Sequence, residues 1–146
     1  GVGLTMNGGA TQIVSNYNTA FTVASFRVNG TQYGYITTST SGTTFSTSSD
    51  YRLKENVQPM LNALATVAQL NPVTYNWKAD GSDGQGFIAH ELQSVVPDCV
   101  TGEKDAVDED GNPKYQGIDT SFLVATLTAA IQELKAEFDA YKASHP

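Results

Sequence analysis

A serine and a lysine that lie five positions apart, Ser49 and Lys54, are the first candidates for chemistry in this chain of 146 residues. A serine hydroxyl becomes a nucleophile only when another group accepts its proton, and a lysine accepts that proton only when desolvation favours its neutral form. Ser-Lys pairs carry out acyl transfer on several folds. This separation suits a turn that enters a helix and folds the ammonium group back over the hydroxyl. The spacing alone is common by chance, and Ser49 as a helix N-cap is the alternative interpretation.

The charged residues are concentrated after this pair. The chain has 8 Lys+Arg and 15 Asp+Glu residues and a net charge of −7, yet residues 1–50 contain only Arg27 and Asp50. So few basic residues give no electrostatic footprint for a phosphate backbone. No apolar run approaches the roughly 20 residues of a membrane span. We therefore expect neither nucleic acid nor a membrane as a partner.

Cysteines and acidic clusters give little support for a metal site. Cys99 is the single cysteine, which excludes an internal disulfide and a cysteine-built zinc site. It has no basic neighbour in the sequence, which favours a structural thiol over a nucleophile. The acidic stretch 108–112 lacks the spacing and the distal glutamate of a calcium loop, which favours a solvated turn. The sequence therefore predicts no metal and no cofactor.

The elements that must position Ser49 begin with a β-rich segment. Residues 1–50 are rich in Gly, Ser, Thr and Asn, interleaved with β-branched and aromatic residues. Phe26 and Val28 alternate with polar neighbours, and Asn29-Gly30 is a strong signal for a two-residue turn. These features predict a β-hairpin. Because one hairpin alone is marginal in water, this segment requires a further element to pair with.

Residues 57–119 predict a small mixed core, so that the fold class is α+β. Apolar residues recur at helical spacing from residue 57 to residue 68, and Asn71-Pro72 ends that helix. The next segments predict a strand, a turn, a short buried strand and a helix, at residues 73–77, 80–84, 86–89 and 90–96. The acidic segment that follows predicts a protruding hairpin with arms at 100–107 and 114–118.

The C-terminal segment has the clearest periodicity. Its apolar positions are separated alternately by four and three residues: Thr120, Val124, Leu127, Ile131, Leu134, Phe138 and Tyr141. This spacing, held for three heptads, predicts a long helix over about 120–143 with a narrow apolar stripe. One interpretation is an amphipathic helix that lies on its own domain. The other, which we prefer, is a parallel coiled coil, for which three strands are permitted.

Several of these motifs together resemble a known family. The matching segments are 47–57, which contains Ser49-Asp50-Tyr51-Arg52-Leu53-Lys54, then 75–77, 86–92 and 96–98. They closely resemble the C-terminal intramolecular chaperone and self-cleaving domain of phage tail spikes and tail fibres, the S74 peptidase family. The resemblance runs from about residue 48 to about residue 141. The stretch from Phe26 to Phe45 is also similar to the fibre sequence that leads into such domains.

The resemblance implies a self-cleaving serine endopeptidase that acts once. By resemblance, Ser49 is the nucleophile, Lys54 is its proton acceptor, and Ser48-Ser49 is the scissile bond. His90 matches a family position that carries Gln or His and is expected to support orientation or proton transfer. A histidine that is hydrogen-bonded beside the core is the alternative reading of His90.

Two acidic residues beside the pair have less certain roles. Asp50 and Glu55 are expected either to hold Lys54 or Arg52 in place or to cap the helix. Neither residue alone decides the assignment of the site.

The resemblance further implies two parts with different fates. Residues 1–48 would be the end of a β-rich tail fibre or spike in the virion, and residues 49–146 a chaperone domain that acts in the host cytoplasm during assembly and is released after cleavage. Such domains form homotrimers, and the client is the upstream fibre segment of the same chain. Two alternatives stay open, a trimerisation module that does not cleave and a receptor-binding fibre tip.

Overall fold

A three-stranded antiparallel sheet forms most of the first part of the structure. The computed structural model describes residues 19–145, and the chain divides into two compact units between Val57 and Gln58. The strands of the first unit are β1 (Phe21–Val28), β2 (Thr31–Ser39) and β3 (Gly42–Thr47), in the order β1-β2-β3. A three-residue 3-10 helix, Tyr51–Leu53, follows β3 after a short extended segment.

The hairpin predicted around Asn29-Gly30 is confirmed. Both turn residues have positive φ, 49° at Asn29 and 81° at Gly30, the region that a type I′ turn requires. The pairing element that this hairpin needs is β3, which the sequence did not predict. Ile36 of β2 lies opposite Phe45 of β3 in the register.

This sheet is little buried in a single chain. Among residues 21–47 only Gly34 is buried, and a Cβ atom there would lie 3.1 Å from the backbone oxygen of Ser46 on β3. The side chains of Phe26 and Phe45 are 58% and 77% exposed. The close approach of two strands therefore explains Gly34, while the two phenylalanine side chains stay largely exposed in the described part of the sheet.

The second unit alternates short helices and strands before it ends in one long helix. Its elements are α1 (Ala63–Val67), β4 (Val73–Asn76), β5 (Asp83–Gly86), α2 (Ala89–Val95), β6 (Val100–Thr101), β7 (Gly117–Ile118) and α3 (Leu123–Ser144). Antiparallel pairing joins β4 to β5 and β6 to β7. Short 3-10 helices lie at Pro97–Cys99 and Thr120–Phe122. This mixture confirms the predicted α+β class.

A small core lies where α2 meets the start of α3. Leu92, Cys99 and Leu123 are buried together, and four apolar side chains pack around them. Cys99 is only 1% exposed, and burial, followed by the carboxylates of Asp119 and Asp98, raises the pKa of its thiol. The thiol is therefore a core group, as the sequence predicted.

Two boundaries in this unit differ from the sequence prediction. A helix from residue 57 was wrong, because α1 begins only at Ala63 and Asn62 has a left-handed φ of 59°. A strand over residues 86–89 was also wrong, because β5 is Asp83–Gly86 and Ala89 already begins α2. The loop before β5 is residues 77–82 and so lies earlier than the predicted turn at 80–84. At α1 a tertiary contact marks the start of the helix, because the carboxylate of Glu133 accepts hydrogen bonds from Ala63 and Leu64.

The acidic hairpin is present with a short ladder at its base. Beyond the paired strands β6 and β7, the arms meet again at a bridge between Val107 and Pro113. At the turn, the carboxylate of Asp108 accepts hydrogen bonds from the backbone N–H groups of Asp110, at 3.0 Å, and Asn112, at 2.8 Å. That carboxylate therefore closes the turn between the arms.

Helix α3 has two different faces. Leu123, Thr126 and Ala130 are buried, and α3 packs against α1 on this side. Six apolar side chains stay exposed and form what we call the apolar stripe of α3: Val124, Leu127, Ile131, Leu134, Phe138 and Tyr141. The predicted helix is confirmed. The face of α3 that packs against the second unit is not the predicted apolar stripe. Within residues 19–145, no helix is long and apolar enough to span a bilayer.

Candidate active site

The candidate site lies directly after the last strand of the first unit. Beyond β3, the backbone N–H of Ser48 donates to the carbonyl oxygen of Tyr33 at 2.8 Å. The hydroxyl of Ser48 donates to the carbonyl oxygen of Gln32 at 3.2 Å. These two contacts hold the residue before Ser49 against β2, so that the peptide bond between Ser48 and Ser49 begins at a fixed point of the sheet.

A tight turn follows at once. Asp50 is the N-cap of the 3-10 helix Tyr51–Leu53, and its Oδ1 accepts a hydrogen bond from the backbone N–H of Arg52 at 2.9 Å. The capping role suggested as an alternative for Ser49 therefore belongs to Asp50. The backbone N–H of Lys54 closes the turn by donating a hydrogen bond to the carbonyl oxygen of Tyr51 at 3.1 Å.

This turn brings the two candidate residues together. Nζ of Lys54 lies 2.6 Å from Oγ of Ser49, within hydrogen-bond distance. Both residues are exposed in the single chain. The separation of five residues thus has the consequence that the sequence predicted, a lysine ammonium folded back onto a serine hydroxyl.

Asp50 and Arg52 form a bidentate ion pair beside that contact. Nε of Arg52 donates to Oδ1 of Asp50 at 2.8 Å, and Nη2 donates to Oδ2 at 2.8 Å. The side-chain hydrogen bond to Arg52, followed by the backbone hydrogen bond, lowers the pKa of Asp50. The same pairing raises the pKa of Arg52. Of the roles suggested for Asp50, it therefore has two, capping and the holding of Arg52.

The other two residues predicted to belong to the site are Glu55 and His90. Glu55 follows Lys54 but makes no side-chain hydrogen bond or ion pair among residues 19–145. His90 belongs to the second unit, in the first turn of α2, where it is exposed. It lines a shallow cavity of about 310 Å³ together with residues of the acidic hairpin, including Asp105 and Tyr115. The supporting role expected of His90, in orientation or proton transfer, stays a prediction.

Sequence reasoning missed the acceptors that hold Ser48. Gln32 and Tyr33 contribute only their backbone carbonyl groups. No residue type marks such an acceptor, because every residue carries one. Only the predicted hairpin, continued by a third strand, would have indicated it. In the described part of the chain, no group of three or more His, Cys, Asp or Glu residues is arranged to hold a metal ion.

A serine hydroxyl within hydrogen-bond distance of a lysine amine is an arrangement that can serve acyl transfer. Residues 49–101 match the model of a peptidase family, Peptidase S74, described as chaperone of endosialidase. The matched segment begins at Ser49. It confirms, over these residues, the resemblance that the motifs indicated.

Two relatives that the chain resembles are long tail fibre proteins of phages. The chain is 36% identical over 94 residues to the long tail fiber protein Gp37 of Enterobacteria phage K3, and equally to that of Enterobacteria phage T2. Each alignment covers 60% of this chain and 7% of the relative. The chain therefore spans a small fraction of the length of the curated relatives that it matches.

Proposed function

We propose that this chain joins the end of a phage tail fibre or spike, residues 1–48, to an intramolecular chaperone, residues 49–146. The chaperone assembles the fibre as a homotrimer and then releases itself by cutting the Ser48-Ser49 bond. The observation that carries the cleavage proposal is the 2.6 Å contact between Nζ of Lys54 and Oγ of Ser49. The match that begins at Ser49 and the similarity to long tail fibre proteins support the chaperone role.

The cleavage proceeds as an acyl shift within one residue. Neutral Lys54 accepts the hydroxyl proton of Ser49, and the oxygen attacks the carbonyl carbon of Ser48. The C–N bond then breaks, the amine of Ser49 takes up the proton from Lys54, and an ester joins the carbonyl of Ser48 to the oxygen of Ser49. Water hydrolyses the ester to a carboxylate at Ser48 and restores the hydroxyl of Ser49.

The proton acceptor works only in its neutral form. Removal of an ammonium group from water favours that form. Since Lys54 is exposed in a single chain, a second copy packed over the site would provide this desolvation. Cleavage is then restricted to chains that have already assembled.

The apolar stripe of α3 supports trimerisation. Its residues repeat at alternating steps of three and four and stay exposed, while other residues of α3, on a neighbouring face, are buried in the second unit. This is the pattern of a coiled-coil seam. A coiled coil at the C-terminus raises the effective concentration of the three chains before their strands pair. Non-local pairing of strands is otherwise slowed by loop closure.

The two alternatives each have one observation in their favour. The apolar stripe serves a trimerisation module whether or not the chain cleaves itself. Exposed aromatic side chains on the sheet, at Phe26, Tyr33 and Phe45, fit a receptor-binding tip. They equally fit strands that pack against other copies in a fibre. Under the proposed function, residues 1–48 belong to the virion and the rest acts during assembly in the host cytoplasm.

Expression of the full chain and two variants tests the proposal. On a denaturing gel we expect the unaltered chain as two fragments, of which the C-terminal one begins at Ser49 by N-terminal sequencing and intact mass. Ser49→Ala gives one band. Lys54→Arg also gives one band, because arginine keeps the charge but cannot act as a base. Lys78→Arg, at another exposed lysine, is the matched control and cleaves normally.

Different failures point to different conclusions. An unaltered chain that assembles as a trimer but stays intact favours the non-cleaving module. Cleavage of Ser49→Ala at the same bond assigns the cut to a protease of the host. Binding of the released N-terminal part to a glycan array favours the receptor-binding tip.

A further inference from the structure

Two aspartates of this chain cap short 3-10 helices in the same way. Asp50 precedes Tyr51–Leu53, and Asp119 precedes Thr120–Phe122. In each case Oδ1 accepts a hydrogen bond from the backbone N–H two residues on, at 2.9 Å from Arg52 and at 2.9 Å from Ser121. One carboxylate oxygen is therefore sufficient to cap a turn of this kind.

The turn at Asp50 has a second set of contacts that capping does not require. The guanidinium group of Arg52 folds back and bonds both carboxylate oxygens of Asp50, each at 2.8 Å. Planar, bidentate pairing of this kind fixes orientation as well as distance. Both the backbone N–H and the guanidinium group of Arg52 thus bind the carboxylate of Asp50, so that two independent contacts hold the turn.

Lys54 is the first residue after this clamped turn. Two backbone hydrogen bonds define the turn. The N–H of Leu53 donates to the carbonyl oxygen of Asp50, and the N–H of Lys54 donates to the carbonyl oxygen of Tyr51, both at 3.1 Å. The side chain of Lys54 then returns to Ser49, the residue before Asp50. Any opening of the turn therefore changes the distance between Nζ of Lys54 and Oγ of Ser49.

From this geometry, and resting on the proposed function, we infer that Asp50 and Arg52 are positioning residues for the self-cleavage, which hold the turn that places Lys54 on Ser49. The pair is exposed, with 41% of the Asp50 side chain and 73% of the Arg52 side chain accessible. Exposed ion pairs contribute little to stability. A displacement of reacting groups by about 1 Å can nevertheless slow a reaction about a hundredfold. The effect is therefore expected in the cleavage rate and not in folding.

Conservative substitutions distinguish the role of the Asp50–Arg52 ion pair from the N-cap role of Asp50. Asp50→Ser keeps an N-cap acceptor and removes the carboxylate that Arg52 grips, and Arg52→Lys keeps the charge and removes the planar fork. We expect each to slow cleavage about tenfold, measured on pulse-labelled full chain made by cell-free synthesis. The double variant is no slower than either single one, because both remove the same interaction. Asp119→Ser, the matched change at the other cap, cleaves at the unaltered rate.

A pH profile distinguishes positioning from other roles of the arginine. Synthesis is stopped, and samples that contain uncleaved trimer are diluted into buffers of different pH. For Arg52→Lys we expect a lower maximal rate and an unchanged midpoint, because the charge beside Lys54 is kept. Arg52→Gln removes that charge, and a shifted midpoint with an unchanged maximum in this variant means that Arg52 acts through its charge on Lys54 and overturns the proposal. A merely structural role lowers the yield of trimer and leaves the rate per trimer unchanged, which also overturns it.

These outcomes are distinct from failure of the proposed function. If the unaltered chain does not cleave, or if Ser49→Ala does, the self-cleavage itself is wrong. If the unaltered chain cleaves through Ser49 while Asp50→Ser and Arg52→Lys match its rate, only the positioning role is wrong. Should Arg52→Lys fail to form trimers, Arg52→Gln and Asp50→Ser give the same comparison.

Discussion

The carboxylate of Glu133 shows how one distant residue decides where a helix begins. Its Oε1 accepts a hydrogen bond from the backbone N–H of Ala63 at 3.1 Å, and its Oε2 accepts one from Leu64 at 2.7 Å. These are orphan donors at the N-terminus of α1, where a negative charge is also favoured by the helix dipole. Asn62, the N-cap residue, makes no side-chain capping bond. Glu133 on α3 therefore replaces the missing local cap.

This cap predicts an acid-sensitive attachment of α1 to α3. The backbone N–H groups of Leu64 and then Ala63 lower the pKa of Glu133 below its ordinary value of 4.5. A carboxylate with a lowered folded-state pKa stabilises the fold above its unfolded value, and the contribution is lost as pH falls through the folded value. We expect Glu133→Gln to lower the melting temperature by several degrees at neutral pH and to have little effect in acid.

Calorimetry or circular dichroism on full chain in the Ser49→Ala background measures this difference. Glu137→Gln, one turn further along α3, is the matched control, since Glu137 has no side-chain hydrogen bond among residues 19–145. Equal destabilisation by the two variants, or a Glu133→Gln effect that persists in acid, contradicts the capping role.

At the scale of elements, the sheet and the candidate site are connected through β2. The carbonyl groups that hold Ser48 belong to Gln32 and Tyr33, which follow the Asn29-Gly30 turn by two and three residues. The proposed scissile bond therefore follows a residue that is held against a strand whose register the turn sets. Disturbance of the turn is expected to reach the cleavage site through β2.

A substitution at Gly30 tests this connection. Gly30 has a φ of 81°, and nothing lies within 4 Å of a Cβ atom added there, so a side chain meets backbone strain alone. Gly30→Val is expected to destabilise the turn by about 1–2 kcal/mol and to slow the appearance of cleaved chain. Gly111→Val is matched, with a φ of 82° and equally open space in the acidic hairpin. Equal cleavage rates for the two variants would show that the sheet does not govern the site.

The elements that the sequence predicted well are those with local signals. The Asn29-Gly30 turn needs positive φ at both residues, which few other dipeptides adopt, and α3 has a periodicity held over three heptads. The start of α1 could not be predicted, because its cap comes from Glu133, some seventy positions later. At the site, the Ser49–Lys54 contact followed from spacing and resemblance, whereas the two-sided grip of Arg52 on Asp50 depends on side-chain rotamers that no spacing records.

At the scale of the whole molecule, the apolar stripe of α3 is a surface that the second unit does not cover. The second unit buries Leu123, Thr126 and Ala130 of α3 and leaves the apolar stripe of α3 in solvent. The sequence predicted the stripe but could not tell whether the chain's own domain covers it. Because the domain uses the other face, the stripe is available for a second and third copy, as the proposed homotrimer requires.

Charge placed on the stripe separates assembly from folding. Ile131 is 67% exposed in the single chain, so Ile131→Lys is expected to leave the folded monomer intact. In a coiled coil the same lysines meet at the seam, where burial of like charges is unfavourable. We expect Ile131→Lys in the Ser49→Ala background to sediment as a monomer where the parent sediments as a trimer, and Ile131→Lys alone to lose cleavage. Gln132→Lys adds the same charge one residue away, outside the stripe, and is expected to keep both trimer formation and cleavage.

A trimer that survives Ile131→Lys would instead place the interface elsewhere. A variant that cleaves as a monomer would contradict the requirement of assembly for desolvation of Lys54.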